Sequence, residues 1–382
     1  MITTEFKGMT LPLLGMGCMR LPRTGGDGSP IDEEAVRAMV DYALENGITY
    51  FDTAWGYHNG KSEPVMGAAL GRHPRDSFLL ASKFPSYDVN NFGHVQDIFE
   101  QQLERCGVDH FDFYLCHNLC ELNIEQYLDE ERYGTMAYLL EQKRAGRIRH
   151  LGVSVHSEFE TFERFMEAYG EHMEFCQLEL NYEDWTFQDA RAKVAYLNER
   201  SIPIWVMEPQ RGGALSKLSD DQQARMDALR PGVSPVEWAF RFVQDVPGVT
   251  MILSGMSNMQ QLEQNIGYFD ARKPLADAER DELIAIGAEI AQATSLPCTA
   301  CRYCTSHCPR DLNIPYLLSL YNEWQSKNGG PSYISAMGIG ALPEDHRPSA
   351  CIACRACEAV CPQQLPIAST MAKLAGQYEK QE

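Results

Sequence analysis

Eight of the thirteen cysteines in this 382-residue chain stand in two matching runs, Cys298-x2-Cys301-x2-Cys304-x3-Cys308-Pro309 and Cys351-x2-Cys354-x2-Cys357-x3-Cys361-Pro362. Every cysteine of the first run precedes its counterpart by 53 residues, so the runs form an internal repeat. Three thiolates spaced this way reach three corners of one cubane from a single turn of irregular backbone, and the fourth corner must come from elsewhere in the chain. The pattern reads as a pair of 4Fe-4S clusters. It obliges the C-terminal part of the chain to fold as a module around them.

The runs resemble those of two-cluster ferredoxins, in which the cysteine before proline ligates the other cluster. That resemblance implies one site of Cys298, Cys301, Cys304 and Cys361 and another of Cys351, Cys354, Cys357 and Cys308. A zinc site uses two CxxC pairs or a CxxC with histidines, which is not this pattern. A disulfide framework suits an exported chain, and Met1–Thr10 lacks a charged start followed by an apolar core, so the protein is expected in a reducing cytoplasm. Cys18, Cys106, Cys116, Cys120 and Cys176 lie far from the runs and read as small buried apolar residues.

The length suits one barrel-sized domain, residues 1–295, and a smaller module, residues 296–382. No apolar run approaches a membrane span. The net charge of −20 is uneven: residues 298–382 carry 7 basic and 7 acidic side chains, leaving 26 against 46 for the rest. An acidic surface repels phosphate backbones, which argues against nucleic acid as a partner.

From residue 13 onward, short apolar β-rich runs alternate with longer amphipathic stretches, the pattern of a parallel sheet with crossover helices. Strands are expected at Leu13–Gly17, Ile48–Asp52, Phe78–Ser82, Phe111–Leu115, Ile148–Val153, Cys176–Leu180, Ile204–Met207 and Thr250–Leu253. Asp32 is placed to cap the first helix, and Gly47, Gly146 and Gly170 follow helix candidates as C′ residues. Eight β/α units fit an α/β fold of the (β/α)8 TIM-barrel type, and no GxGxxG follows the first strand. Between the cysteine runs, the sequence predicts a helix over Tyr316–Lys327 and a Gly/Pro/Ser-rich loop over Gly329–Pro348. This separation resembles the helical dicluster module of larger redox enzymes.

Working residues of a TIM barrel sit at the C-terminal ends of its strands. Those positions hold Asp52 and Tyr57 within FDTAWGY, Lys83 within LLASKF and His117 within YLCHN. These segments are similar to the tetrad of the aldo-keto reductase family, over roughly residues 5–270. The resemblance implies that Tyr57 is the general acid, that Lys83 paired with Asp52 favours its phenolate, and that His117 orients and polarises the substrate carbonyl. A phenol near pKa 10 needs such a neighbouring ammonium to exchange protons at pH 7.

The family holds a nicotinamide dinucleotide across the barrel rim without a glycine-rich loop. On that resemblance Ser154 and Gln177 hold the carboxamide, with Val155 where an asparagine is usual, and Met207 replaces the stacking aromatic. Arg211 is a candidate for the pyrophosphate or a substrate anion, with a surface ion pair as the alternative reading. At the adenosine end stand Ser257, Asn258, Gln264 and Asn265, while the positions that grip a 2′-phosphate hold Gly255 and Gln261. Without charge there, NADH and NADPH both stay open as donors. No flavin fingerprint is present, although TIM barrels bind flavin mononucleotide through loop backbone that leaves no motif.

The reading that joins these parts is an NAD(P)H-dependent oxidoreductase that reduces an aldehyde or ketone, or oxidises the alcohol. Its two 4Fe-4S clusters serve electron exchange with a redox partner protein or structural support. The alternative is an electron-transfer subunit whose barrel serves mainly as a docking module. A hydride carries two electrons and each cluster passes one, so a nicotinamide cannot feed the clusters directly without a radical or a mediating flavin.

Overall fold

The computed structural model describes residues 1–26, 29–296, 298, 301–326 and 332–379. Pro297, Lys327 and Gly329 lie outside them. Ten strands form among the described residues: β1 (Thr3–Phe6), β2 (Met9–Pro12), β3 (Leu14–Gly17), β4 (Tyr50–Asp52), β5 (Leu79–Phe84), β6 (Phe111–Leu119), β7 (Ile148–Val155), β8 (Phe175–Glu179), β9 (Ile204–Met207) and β10 (Val249–Gly255). β1 and β2 pair antiparallel, and β3 to β10 close a barrel in sequence order in which every neighbouring pair is parallel. This is the (β/α)8 architecture that the alternation implied.

Each expected strand is present, and β6 runs four residues further than the apolar pattern indicated. Its end contains an irregularity between Cys116 and Leu119, with Asn118 at φ 54°. A bulge of this kind keeps a strand paired while re-aiming its side chains, and it falls beside His117.

The hairpin β1–β2 is absent from the sequence reading. Its turn places Lys7 at φ 47° and Gly8 at φ 81°, and it inserts Phe6 and Leu11 into the barrel beside Tyr50, Phe113, Phe175, Trp205 and Met251. Phe6 meets the Trp205 ring edge-on at 5.0 Å. Phe113, Phe175 and Trp205 lie near the starts of their strands, so this plug fills the end of the barrel away from Asp52, Lys83 and His117. Gly152 makes room for it, since a Cβ there would stand 2.6 Å from the Phe175 ring.

The helix caps follow local chemistry. The Asp32 carboxylate accepts from Ala35 N–H at 3.0 Å at the start of the helix Glu33–Glu45. Gly47 (φ 86°) and Gly146 (φ 76°) adopt the left-handed conformation expected of C′ residues. Gly170 does not: at φ −57° it opens a 3₁₀ turn that carries the helix on.

The chain divides into two compact units, one of Met1–Gln210 with Leu215–Ile284 and the other of Arg211–Ala214 with Ala285–Glu382. The division falls inside the helix Asp277–Thr294, ahead of the boundary read near residue 295. In the second unit the helix expected at Tyr316 begins at Ile314, with Pro315 in its first turn, and runs to Ser326. It packs with the helices Tyr333–Gly340 and Ile367–Tyr378. Leu312, Leu317, Leu318, Ile367, Met371 and Leu374 form the core there, and Cys304 and Cys357 belong to it. Among the described residues no helix is long and apolar enough to cross a membrane.

Candidate active site

Asp52 is the last residue of β4, and Lys83 the penultimate residue of the neighbouring β5. Their side chains meet inside the barrel rim. Lys83 Nζ donates to Asp52 Oδ1 at 2.5 Å, to the Thr53 carbonyl at 2.8 Å and to Tyr57 Oη at 3.5 Å. The turn after β4 returns Tyr57 over this pair, so that the ammonium also lies 5.0 Å from the centre of the Tyr57 ring. Lys83 is fully buried and Asp52 is 3% exposed, so two charges are held out of water and each depends on the other. Burial pushes the Asp52 carboxyl up, and the Lys83 ammonium opposes that shift.

His117 packs edge-on to Tyr57, with ring centres 5.9 Å apart, and to Tyr87 at 5.5 Å. Its carbonyl accepts from the Ser86 hydroxyl. Burial holds its imidazole well below the usual histidine range, and the Lys83 charge and His156 add to the effect. His117 is therefore neutral at pH 7, with a ring N–H available to a substrate oxygen, and its buried Nδ1 has no hydrogen-bond partner. The four residues read from the strand ends are brought together.

Behind β5 lies a polar network that the sequence reading missed. Glu63 accepts from Ser82 Oγ at 2.7 Å and Gln102 Nε2 at 2.7 Å, Gln102 Nε2 reaches the Lys83 carbonyl at 3.0 Å, and Tyr114 donates to Gln102 Oε1 at 2.5 Å. Glu63 is fully buried, and burial raises its carboxyl against the hydrogen bonds of Ser82 and Gln102 and the charge of Arg105. Arg105 lies 3.5 Å over the Trp55 ring, which fixes the segment between Asp52 and Tyr57. Gln102 and Glu63 sit on helices, where polar residues read as a solvated face.

Ser154 and Gln177 are register partners on β7 and β8. The Ser154 hydroxyl faces Met207 Sδ at 3.8 Å, while Gln177 is 3% exposed and its Oε1 is buried without a hydrogen-bond partner. An orphaned amide oxygen at this place fits a carboxamide N–H of a nicotinamide. At the other end of the cofactor positions, Asn258 caps the helix Met259–Tyr268 by accepting from Gln261 N–H at 2.9 Å, and Gln261 Oε1 accepts from Ser257 N–H at 2.7 Å. Asn265 Nδ2 donates to Ser254 Oγ at 3.1 Å, and Gln264 is exposed. Arg20, which the sequence reading did not single out, borders this end: the Ser257 hydroxyl donates to its carbonyl at 2.9 Å, and a Cβ on Gly255 would stand 3.2 Å from its side chain.

Arg211 is placed differently from the expectation. Its side chain is fully buried in the second unit and donates to Glu323 Oε2 at 3.1 Å, so its charge faces an internal carboxylate.

Among the described residues of the second unit the cysteines gather around two hollows. Cys298, Cys301, Cys304 and Cys361 line one. Cys351, Cys354, Cys357 and Cys308 line the other. Each thus gathers three cysteines of one run and the pre-proline cysteine of the other. Among the described residues no three His, Cys, Asp or Glu side chains close on a point that would hold a single ion. Four thiols spread around a space suit a cubane.

Residues 13–287 match the model of the aldo/keto reductase family, and residues 297–365 match that of a 4Fe-4S dicluster domain. The chain belongs to the aldo/keto reductase family. This aldo/keto reductase is 23% identical over 291 residues to the uncharacterized oxidoreductase YqkF of Bacillus subtilis, covering 68% of this chain and 88% of that one. Its fold is that of the aldo-keto reductase AKR11C1 from Bacillus halodurans in its holo form, with a TM-score of 0.61, 22% identity and coverage of 74% and 95%. An aldo/keto reductase from Klebsiella pneumoniae in complex with NADP and acetate superposes with a TM-score of 0.60 at 22% identity, covering 75% and 95%. Membership makes the chain an oxidoreductase of carbonyl and alcohol groups, to which a 4Fe-4S dicluster domain is joined.

Proposed function

We propose that Tyr57 is the proton donor and acceptor of an NAD(P)H-dependent carbonyl reductase, and that the C-terminal clusters exchange single electrons with a partner protein. The observation that carries the first part is Lys83 Nζ, 2.5 Å from Asp52 Oδ1 and 3.5 Å from Tyr57 Oη. When bound, the dinucleotide supplies the hydride to the carbonyl carbon, or takes it back from the alcohol. Tyr57 gives its hydroxyl proton to the carbonyl oxygen. The Lys83 ammonium stabilises the charge left on the phenolic oxygen, and Asp52 holds that ammonium in place. His117, neutral, donates to the same oxygen and sets the carbonyl's direction.

Ser154 and Gln177 would hold the carboxamide, and Met207 would lie against the nicotinamide ring. Ser257, Asn258, Gln261, Gln264 and Asn265 frame the adenosine end. Arg211 is left out of this set because Glu323 occupies its guanidinium. The Klebsiella relative was solved with NADP. Here Arg20, exposed and with its guanidinium 3.8 Å from Glu208, borders Gly255, so the choice between NADPH and NADH would turn on whether it leaves that carboxylate for a 2′-phosphate. The crossed sets of four cysteines would each hold one cluster, in a protein that works in a reducing cytoplasm.

The test is anaerobic. A panel of aldehydes, ketones and sugars is offered to the iron-loaded protein with NADPH and with NADH, and dinucleotide oxidation is followed. Tyr57→Phe is expected to lower turnover by about 10²-fold or more while fluorescence titration still shows dinucleotide binding; undiminished turnover overturns the assignment. Gln177→Leu is expected to weaken dinucleotide binding by about tenfold, one hydrogen bond's worth.

A further inference from the structure

The cysteine runs repeat more than their thiols. Arg302 follows Cys301, and Arg355 follows Cys354, at the same place in the 53-residue repeat. Both adopt left-handed backbone, φ 61° and φ 60°. Each lines the cavity of its own run. The cysteines they follow, Cys301 and Cys354, are the exposed members of the runs, while Cys304 and Cys357 are buried. The solvent side of each cavity therefore carries an arginine.

Other residues extend these two edges. Arg310 joins Arg355 at the second cavity. Arg302 and Arg310 have no ion-pair partner among the described residues, and Arg355, with 75% of its side chain exposed, reaches only Glu358 at 3.9 Å. Tyr303 and Ile352, 59% and 54% exposed, are two of the three large apolar side chains left in solvent among the described residues. Both lie within the runs. Cations around an exposed apolar side chain, beside the thiols nearest to solvent, form a surface suited to a protein that must come close to a cluster and leave again.

We propose that these two edges dock an acidic one-electron carrier protein, an inference resting on the reading that the clusters are redox-active. The charge distribution selects the sign of the partner. The residues before 298 hold 46 acidic against 26 basic side chains, so a basic carrier would be drawn to them, whereas an acidic carrier is repelled there. The later residues hold 7 side chains of each sign before the clusters, which with their thiolates are anionic, are counted; the positive charge beside them is local to Arg302, Arg310 and Arg355 at the cavities. Tyr303 and Ile352 supply the small desolvated contact typical of transient electron-transfer encounters. In the exchange one electron leaves the reduced centre of the carrier and enters an oxidised cluster; no bond forms and no proton moves, and an oxidised carrier runs the step in reverse.

The test uses the iron-loaded full chain, with a reduced, strongly acidic plant-type 2Fe-2S ferredoxin as probe in anaerobic stopped flow. Dithionite is the small-molecule control. For the wild type, the second-order rate of cluster reduction should fall as salt is added. Arg302→Glu with Arg355→Glu should lower that rate at least about tenfold at low salt, with iron content and dithionite reduction unchanged. Arg302→Gln with Arg355→Gln should give a smaller loss and covers the case in which the double charge reversal does not load iron. Clusters that dithionite reduces, with a ferredoxin rate indifferent to salt and to both variants, overturn the docking surface alone. Clusters that neither dithionite nor ferredoxin reduces overturn the redox reading beneath it.

Discussion

At the scale of single residues, the Asp52–Lys83 pair would couple the proposed proton transfer at Tyr57 to stability. An ammonium with no exposure is tolerable only while its carboxylate stays within reach. Asp52→Asn keeps the shape and removes the charge, leaving Lys83 buried without its counter-ion. The expected cost is about 3–5 kcal/mol, seen as a lower urea midpoint, together with loss of carbonyl reduction; an unchanged midpoint would mean that the pair is not held as described. His58 gives a second prediction at this scale. Its Nε2 accepts from Leu21 N–H at 3.1 Å, and burial, helped by the Arg23 charge, lowers its pKa to about 4. Above pH 6.5 both folded and unfolded chains leave this ring neutral, and its contribution is complete. Between pH 6.5 and 4 the unfolded chain takes up a proton that the folded chain refuses, so stability falls as pH falls. In His58→Gln, whose amide oxygen can still accept from Leu21, urea midpoints between pH 6.5 and 5 should decline less steeply than in the wild type.

At the scale of elements, the barrel strands were legible because each is a short apolar run buried on both faces, which leaves little else that Phe111–Leu115 or Ile204–Met207 can be. The hairpin β1–β2 was not. Thr-Thr-Glu-Phe and Met-Thr-Leu-Pro are short and half polar, and their strand state is set by two side chains, Phe6 and Leu11, finding the end of the barrel. Phe6→Ala should therefore cost about 3–5 kcal/mol of barrel stability, measured by chemical denaturation, without changing turnover per folded molecule, since the plug lies at the strand starts. The same division governs the site. Asp52, Tyr57, Lys83 and His117 were legible because strand ends point polar side chains where an apolar run stops. Glu63 and Gln102 were not, because nothing local distinguishes a polar side chain turned inward from one turned to water; only the packing of the helix Val95–Cys106 on β5, and of Ser62–Leu70 on that helix, decides it. Arg211 shows why a rim cation is ambiguous in sequence: a glycine-rich rim segment suggests an anion ligand and an ion pair equally, and the fold brings it to Glu323, more than a hundred positions further along the chain.

At the scale of the whole molecule, the two units differ in what stabilises them. The first encloses a barrel packed with aromatic rings, whereas the core of the second is one small cluster against which Cys298, Cys308, Cys351 and Cys361 pack directly. A core of that size gains much of its stability from bound metal. Removing iron with a chelator under anaerobic conditions should split thermal unfolding into two transitions, lowering that of the second unit and leaving the barrel's near its original temperature. Crossed ligation makes a sharper demand. Cys361 belongs to the second run by sequence and to the cavity of the first run by position. If each cavity holds one cluster, Cys361→Ser and Cys298→Ser must disturb the same cluster, and Cys308→Ser must resemble Cys351→Ser. EPR spectra of the dithionite-reduced variants distinguish the cases, because the cluster left intact keeps its own signal. Spectra that instead group Cys361→Ser with Cys351→Ser would show each run holding its cluster alone, and the two halves of the module would then have no iron-mediated reason to stay together.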